Sequence, residues 1–423
     1  MPVATALLAF SSITNLAMPW YSALKKNAPC GYSLLLVWCL RFGIAPFPES
    51  PSHYAEQLRA LGLEAGLHRV GVAPAEPFLR AREAIHDRIT RGLSDSMQFT
   101  FRNPVRSTTP TMSVTGARSI IVGARSYFSD VDALRSPHSG VADVSPDAVF
   151  ADIARYAWVD HYKPLRESLK VVLKKLRKDG HKAVMFADDN AIVDRETAYL
   201  AGLGWYGKNA NLLIDGAGSW FVLGSIVTTA ELPAAVPVAD GCGSCHRCMS
   251  ECPTGAIIEP GVIDARRCLA WIIQKPGIIP PEFREVIGSR IYGCDDCQDS
   301  CPPSMRLAQK QPLPSDAQMS VDVLSLLAMT DDEVINNFGR WYIHNREVRW
   351  VRRNALVVLG NCAASNNALA QATLANYMRN EDPHLRVHAI WASRRLGISV
   401  ESAMNDSDPM VQNELSLFTA PRR

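Results

Sequence analysis

The feature that most constrains this chain is a set of cysteines between residues 242 and 301. Cys242, Cys245, Cys248 and Cys252 run as C-x-x-C-x-x-C-x-x-x-C, closed by Pro253. Cys294, Cys297 and Cys301 run as C-x-x-C-x-x-x-C, closed by Pro302, with Cys268 between the two runs. Eight of the eleven cysteines fall in this one stretch, so the local fold has to wrap whatever they bind. Thiolates two residues apart, ending in a Cys-Pro that leaves the loop, follow bacterial 4Fe–4S spacing, in which the fourth cysteine ligates the other cluster. On that spacing Cys242, Cys245, Cys248 and Cys301 hold one 4Fe–4S cluster. Cys252, Cys268, Cys294 and Cys297 hold the second, with Cys268 reaching in from far upstream. Structural zinc is the competing reading, since C-x-x-C pairs also bind zinc. The two Cys-Pro closures and the three-cysteine run weigh against it. Disulfides need an oxidising compartment; this pattern points to a reducing cytoplasm instead.

A chain of 423 residues has room for two or three domains. Its formal charge of +2 gives no global attraction to nucleic acid, so any such binding must come from a local patch. Residues 1–50 differ from the rest and read as an N-terminal extension, disordered or mis-started. The apolar run at 32–40 is too short to span a bilayer. Lys25 and Lys26 follow an apolar segment rather than leading the chain as a signal peptide requires. No membrane anchor is expected.

Folded material begins near Tyr54. The spacing predicts helices over 54–67, 77–92 and 161–178 and strands over 69–73, 118–124, 182–187 and 219–229. Leu165, Leu169, Leu173 and Leu176 share one face of the 161–178 helix. Pro, Ser and Asp crowd 129–149, a surface loop. Strands alternating with helices make 51–230 an α/β or α+β domain. A ferredoxin-like insert occupies 231–312.

From 313 to 423 the pattern is helical only. VRRNALVVLGN at 351–361 and LRVHAIWASRRLG at 385–397 resemble each other at a period of about 34 residues, the size of a HEAT-like unit; a plain helical hairpin is the alternative. Arg340, Arg346, Arg349, Arg352 and Arg353 lie among Trp341, Tyr342 and Trp350, a mixture suited to phosphate contacts and base stacking. The alternative is a solvated face with arginines paired to acids.

Taken in order, RNPVR (102–106), GARSII (116–121), RYAWVDHYKPLR (155–166), DDNAIVDR (188–195), AGLGWYGKNANLL (201–213), GSWFVLG (218–224), YGCDDCQDSCP (292–302) and RRNALVVLGN (352–361) resemble the epoxyqueuosine reductase family. The likeness runs from about Tyr54 to about Gly397. It implies an α+β protein: an α/β-type cobalamin-binding catalytic domain with a double-cluster insert, followed by HEAT-like repeats. It also implies an oxidoreductase that converts epoxyqueuosine to queuosine at the wobble position of transfer RNA, with cob(I)alamin fed by two 4Fe–4S clusters. The family is related to reductive dehalogenases and holds cobalamin base-off. The expected partners are the anticodon stem-loop of tRNA and an external low-potential electron donor, acting on a cytoplasmic monomer.

Matching by motif assigns the remaining roles. Asp188 takes the place of the family's proton donor, which sits in a V-D-x-x-P-x-x-E-R setting. Here Ala187 replaces Val, Ala191 replaces Pro and Asp194 replaces Glu. Helix capping is the plainer role for such an Asp. Asp160 and His161 fall where the family has Asp-Tyr-His near the corrin, but the order here is Asp-His-Tyr. Arg102, Lys208, Asn209, Leu212, Ser219, Trp220 and Leu223 match corrin-cleft positions. Leu269 to Ile273, after Cys268, are apolar where the family is polar, which predicts a greasier cleft wall. That wall would suit a paralogous corrinoid reductase of small molecules; a corrinoid-linked electron carrier is the further alternative.

Overall fold

A computed structural model describes residues 50–129, 147–305 and 312–417. The chain divides into Met1–Tyr54 and Ala55–Arg423. Of the first unit only residues 50–54 are described, so the expectation for the N-terminal extension lies outside the described residues. Most of the expected 129–149 loop does too.

The second unit is built on a four-stranded sheet, ordered β1 (Arg69–Pro74), β2 (Ser119–Ser126), β7 (Phe221–Thr228), β4 (Ala183–Phe186). Every neighbouring pair is antiparallel, so the class is α+β. Alternation of strands and helices along the sequence sets the order of elements but not their direction, which is why it left both classes open. β2 and β7 are almost wholly buried, as their unbroken apolar sequences require. The Tyr162–Lys178 helix covers one face with Leu165, Leu169, Val172, Leu173 and Leu176. Gly123 and Gly224 are paired across β2 and β7. A Cβ on Gly224 would stand 2.6 Å from Leu169 Cδ1, so the paired glycines form the seat for that leucine. On the other face Ala73, Phe78, Ala81, Ile192, Ala198, Leu212 and Leu223 form a separate core.

A second sheet, ordered β10 (Arg290–Tyr292), β3 (Phe150–Ile153), β11 (Ser320–Asp322), was not legible in the sequence, because each strand has three or four residues. Two further ribbons are β5 (Trp205–Tyr206) with β6 (Leu212–Leu213), and β8 (Ile257–Glu259) with β9 (Val262–Ile263). The two repeat-like segments are helices Arg349–Cys362 and Pro383–Arg395. They pack so closely that a Cβ on Gly360 would meet Ala392 Cα at 2.8 Å. One continuous core joins them to Leu269, Ile272, Ile273 and Tyr292 beside the cysteines. Buried polar contacts lock the same junction. Arg284 pairs with Glu414 at 2.8 Å. His388 accepts the Ile279 N–H at Nε2 (3.1 Å) and donates from Nδ1 to the His384 carbonyl (2.6 Å), which fixes a neutral tautomer.

Candidate active site

The short helices Arg247–Ser250 and Asp296–Asp299 pack against each other, which brings the two cysteine runs together. Cys242, Cys245, Cys248 and Cys301 line one cavity of about 560 Å³ with Trp205, Leu213 and Pro302. Burial, and then Cys301, Cys242 and Cys245, push the Cys248 thiol up to about 11. The other four also meet. Burial raises the Cys297 thiol, and Cys294, Cys268, Cys252 and Cys248 add to it. Cys268 in turn is raised by burial and by Cys252. The Thr254 hydroxyl donates to the Arg267 carbonyl at 2.6 Å, which holds the segment before Cys268 beside the one after Cys252. The Ala256 N–H donates to Cys252 Sγ at 3.2 Å, a contact that favours a thiolate. Among the described residues no three His, Cys, Asp or Glu side chains are arranged to hold a single metal ion. Four thiols around a cavity of this size suit a cube, whose binding must first displace the thiol protons.

Beside this cavity lies a cleft of about 830 Å³. Lys208 lines both. It sits in the tight turn of the β5–β6 ribbon, where a Cβ on Gly207 would fall 2.7 Å from Asn209 Oδ1. Its Nζ donates to the Gly243 carbonyl at 2.7 Å, tying the cleft wall to the first cysteine run. Phe99, Asp188 and Ala210 all line the cleft, and all three hold φ in the left-handed region, at 32°, 59° and 59°. Such backbone strain in non-glycine residues clusters at functional sites.

Asp188 begins the turn after β4. Ala191 and Ile192 anchor that turn in the core, and Asp189 Oδ1 accepts the Ala191 N–H at 2.8 Å. It is therefore Asp189 that braces the backbone. Partial burial of the Asp188 carboxyl raises its pKa; Arg166 opposes, and Asp160 and Asp189 reinforce. Asp194 and Tyr162 line the same cleft. Burial pushes the Tyr162 phenol up, and the charges of Asp188 and Asp194 add to this. Also lining the cleft, Arg80 meets Glu196 at 2.6 Å, and the Tyr206 hydroxyl donates to the same carboxylate at 3.1 Å.

Residues 241–304 match a family model described as a 4Fe-4S double cluster binding domain. Epoxyqueuosine reductase of Aliivibrio fischeri is 32% identical over 358 residues, spanning 82% of this chain and 93% of that protein. The enzyme of Xanthomonas campestris is 34% identical over 360 residues, spanning 82% and 98%. The chain belongs to the epoxyqueuosine reductase family. A solved family member carrying an epoxyqueuosine-modified tRNA-Tyr stem loop superposes with a TM-score of 0.77 at 26% identity, covering 86% of this chain and 98% of its own. The Bacillus subtilis enzyme, also at 0.77 and 26%, is described with an aspartate-bearing catalytic loop swung out of the active site.

Among the family-matched positions, Asp188, Lys208 and Leu223 line the cleft. Arg102 is exposed next to Phe101, which lines it. Asp160 is a helix cap: its Oδ1 accepts the N–H groups of Tyr162 and Lys163, both at 3.0 Å. His161 is buried with Nε2 3.2 Å from the Arg155 carbonyl, and burial lowers its pKa. In the altered Asp-His-Tyr order the tyrosine, Tyr162, reaches the cleft instead. Leu212 lies in the core. Asn209, Ser219 and Trp220 grip the cysteine segment: Asn209 donates to the Cys297 carbonyl at 3.1 Å, Ser219 to Gln298 Oε1 at 3.0 Å, and Trp220 Nε1 to the Ser304 carbonyl at 3.2 Å. They position the cluster loop against the sheet.

Two expectations change. Leu269, Trp271, Ile272 and Ile273 are all within 5% of full burial in the core, so the apolar run after Cys268 is packing and not a cleft wall. Each of the five arginines has a partner within the chain, and only Arg353 is fully buried; Arg340 and Arg346 stay exposed. Arg340 donates to the Ala157 and Trp158 carbonyls and Arg346 to that of Gly339. Arg349 pairs with Glu347 and Asp382, and Arg352 with Asp331. Arg353 is buried among carbonyls. A sequence count registers their charges but not their partners. Missed in the sequence were Arg80, Tyr162, Glu196 and Tyr206, although Tyr206 stands inside the GLGWYGKN turn. No helix among the described residues is long and apolar enough to cross a membrane.

Proposed function

We propose that this chain reduces epoxyqueuosine to queuosine in transfer RNA. The observation that carries the reading is Lys208: one residue forms wall of both the four-thiol cavity and the acid-bearing cleft, so a redox centre and a proton source share a partition. The reaction needs both, since an epoxide becomes an alkene and water by taking up two electrons and two protons. The residues fit the cofactors the family implies. The cleft mixes apolar walls, Ile85, Phe101, Phe221 and Leu223, with the cations Arg80, Arg88 and Lys208, suited to a corrin face with amide and phosphate oxygens at its edge. Two 4Fe–4S clusters in the two cysteine quartets, fed by an external low-potential donor, and cobalamin in the cleft would supply the electrons.

The chain's own part is placement and protons. Asp188 delivers a proton to the epoxide oxygen as its C–O bond opens. Arg80, fixed by Glu196 and lying over the Tyr199 and Tyr206 rings at 4.4 and 4.9 Å, holds the bound group against the wall. The C-terminal helices grip the anticodon stem-loop, and the enzyme works in the cytoplasm with its tRNA.

The test is anaerobic purification with cobalamin, reduction, and incubation with epoxyqueuosine-containing tRNA, followed by nucleoside mass spectrometry. Queuosine formation is expected. Full iron and reduced cofactor without queuosine would overturn the reading and leave a reductase of another substrate.

A further inference from the structure

Reduction of the epoxide has a proton count that one acid cannot meet. Opening the first C–O bond consumes one proton and leaves a hydroxyl. Breaking the second releases that oxygen as water and consumes another, while the two electrons complete the C=C bond. Asp188 holds one proton, and after giving it up is an anion.

We propose that Asp194 stores the second proton and passes it to Asp188 within the same turnover; this rests on the epoxide reduction proposed above. Asp194 lines the cleft that Asp188 lines. It opens the helix Asp194–Leu200 but does not cap it: the N-cap is Val193, and no side chain makes a capping hydrogen bond there. Its Oδ1 is buried without a hydrogen-bond partner. An enclosed carboxylate oxygen with no donor is costly as an anion and inexpensive as an acid, so this carboxyl keeps its proton. The groups that face it act in the same sense on balance. Burial raises its pKa well above the carboxylate range, Asp188 adds to this, Arg195 opposes and Asp189 reinforces. Tyr162 lines the cleft with both carboxyls; burial raises its phenol first, and the charges of Asp188 and Asp194 add to this. Asp194 acts through Asp188, so it is a positioning and reservoir residue, not the group that touches the substrate.

The experiment compares the holoenzyme with Asp194→Asn, which keeps shape and removes the exchangeable carboxyl proton. Infrared spectra are taken first without substrate. The wild type should show protonated carboxylic C=O bands that shift in deuterium oxide, one lost in Asp188→Asn and a second, distinct one lost in Asp194→Asn. Kinetics on epoxyqueuosine tRNA follow. The variant should lose roughly 100-fold in kcat, the lower end for a proton-transfer group, with KM and iron content unchanged, and small weak acids in the buffer should restore part of the rate. The solvent-deuterium dependence should change from two protons in flight to one. A wild-type carboxylic band set that Asp194→Asn leaves undiminished, or an unaltered kcat and proton count, would overturn the proposal. Loss of rate that no added acid restores, together with a changed iron content, would also overturn it, as a folding effect. The infrared arm needs no substrate, so a wild type inactive on this tRNA would sink the functional reading while the state of Asp194 was still decided.

Discussion

Replacing Arg353 by methionine tests whether the C-terminal helices and the second cysteine quartet stand or fall together. The guanidinium is 0% exposed. It donates to the carbonyls of Ile273 (2.8 Å), Lys275 (2.7 Å) and Gly277 (2.7 Å) and to Asn354 Oδ1 (2.9 Å). Ile273 lies in the last turn of the helix Leu269–Gln274, whose N-cap is Cys268 and C-cap Lys275, so its carbonyl is one of the acceptors a helix leaves unpaired at its C-terminus; Gly277 lies in the loop beyond. Methionine fills the same space and donates nothing. Ile273 keeps a donor, because Asn354 Nδ2 lies 3.0 Å from its oxygen. Lys275 and Gly277 lose theirs. Two hydrogen bonds from a charged donor contribute about 1.5–3 kcal/mol each, and that net figure already includes desolvation of the cation. The expected loss is therefore about 3–6 kcal/mol. At roughly 2 °C per kcal/mol for a unit of this size, thermal unfolding should move down by about 6–12 °C. The assay is anaerobic thermal unfolding followed by circular dichroism, with iron measured on samples withdrawn during heating. Iron should fall towards about half before the main transition, because the helix being loosened carries Cys268. Arg59→Met, which breaks an exposed pair with Glu56, serves as the control and should leave the transition in place. An Arg353→Met protein with wild-type unfolding and full iron would refute the account.

Other outcomes follow from the same geometry. Asp188→Asn should cut kcat by about 10²–10⁴-fold with iron and tRNA affinity unchanged; undiminished turnover would remove Asp188 as the donor. Burial holds the Asp188 carboxyl above its usual range, with Arg166 pulling it down. The donor form exists below that raised pKa, so kcat should fall on the alkaline side; Arg166→Gln removes the opposing charge and should carry activity to higher pH, and a profile moving to lower pH would contradict this. Cys268→Ala should halve the iron while the cluster of Cys242, Cys245, Cys248 and Cys301 keeps its electron paramagnetic signal; full iron would place the fourth ligand elsewhere. Glu414→Gln leaves the Arg284 guanidinium buried against a neutral amide and should cost about 3–5 kcal/mol, read as a lowered unfolding temperature; an unchanged temperature would mean that the pair does not hold the last helix.

What could be read from the sequence depended on how local the signal was. The cysteine quartets were legible because ligand spacing is written in consecutive residues. The long helices and the paired central strands were legible because their burial repeats over several turns or residues, as in Leu165, Leu169 and Leu176. β3, β10 and β11 were not, since three or four residues cannot establish a period. The cleft was legible only at the motif residues, because its walls come from segments near 80, 99, 162, 188, 206 and 223 that meet only in the fold. Charge and apolarity misled wherever their partners were distant. Arg353 looked like a phosphate ligand until its carbonyls, some 80 residues upstream, were placed around it. Leu269 to Ile273 looked like a substrate wall until the core closed over them. The strained backbone at Phe99, Asp188 and Ala210 carried no sequence mark at all, because none is a glycine. Left-handed backbone in such residues is held against its own preference by the surrounding fold, and of the six such residues among those described these three line this cleft. That convergence is evidence for the site that owes nothing to motif matching, and it ties the position of the Asp188 carboxyl to the packing of the turn beneath it. Variants that relax the turn, such as Ala191→Gly, should therefore lower turnover without touching the acid itself.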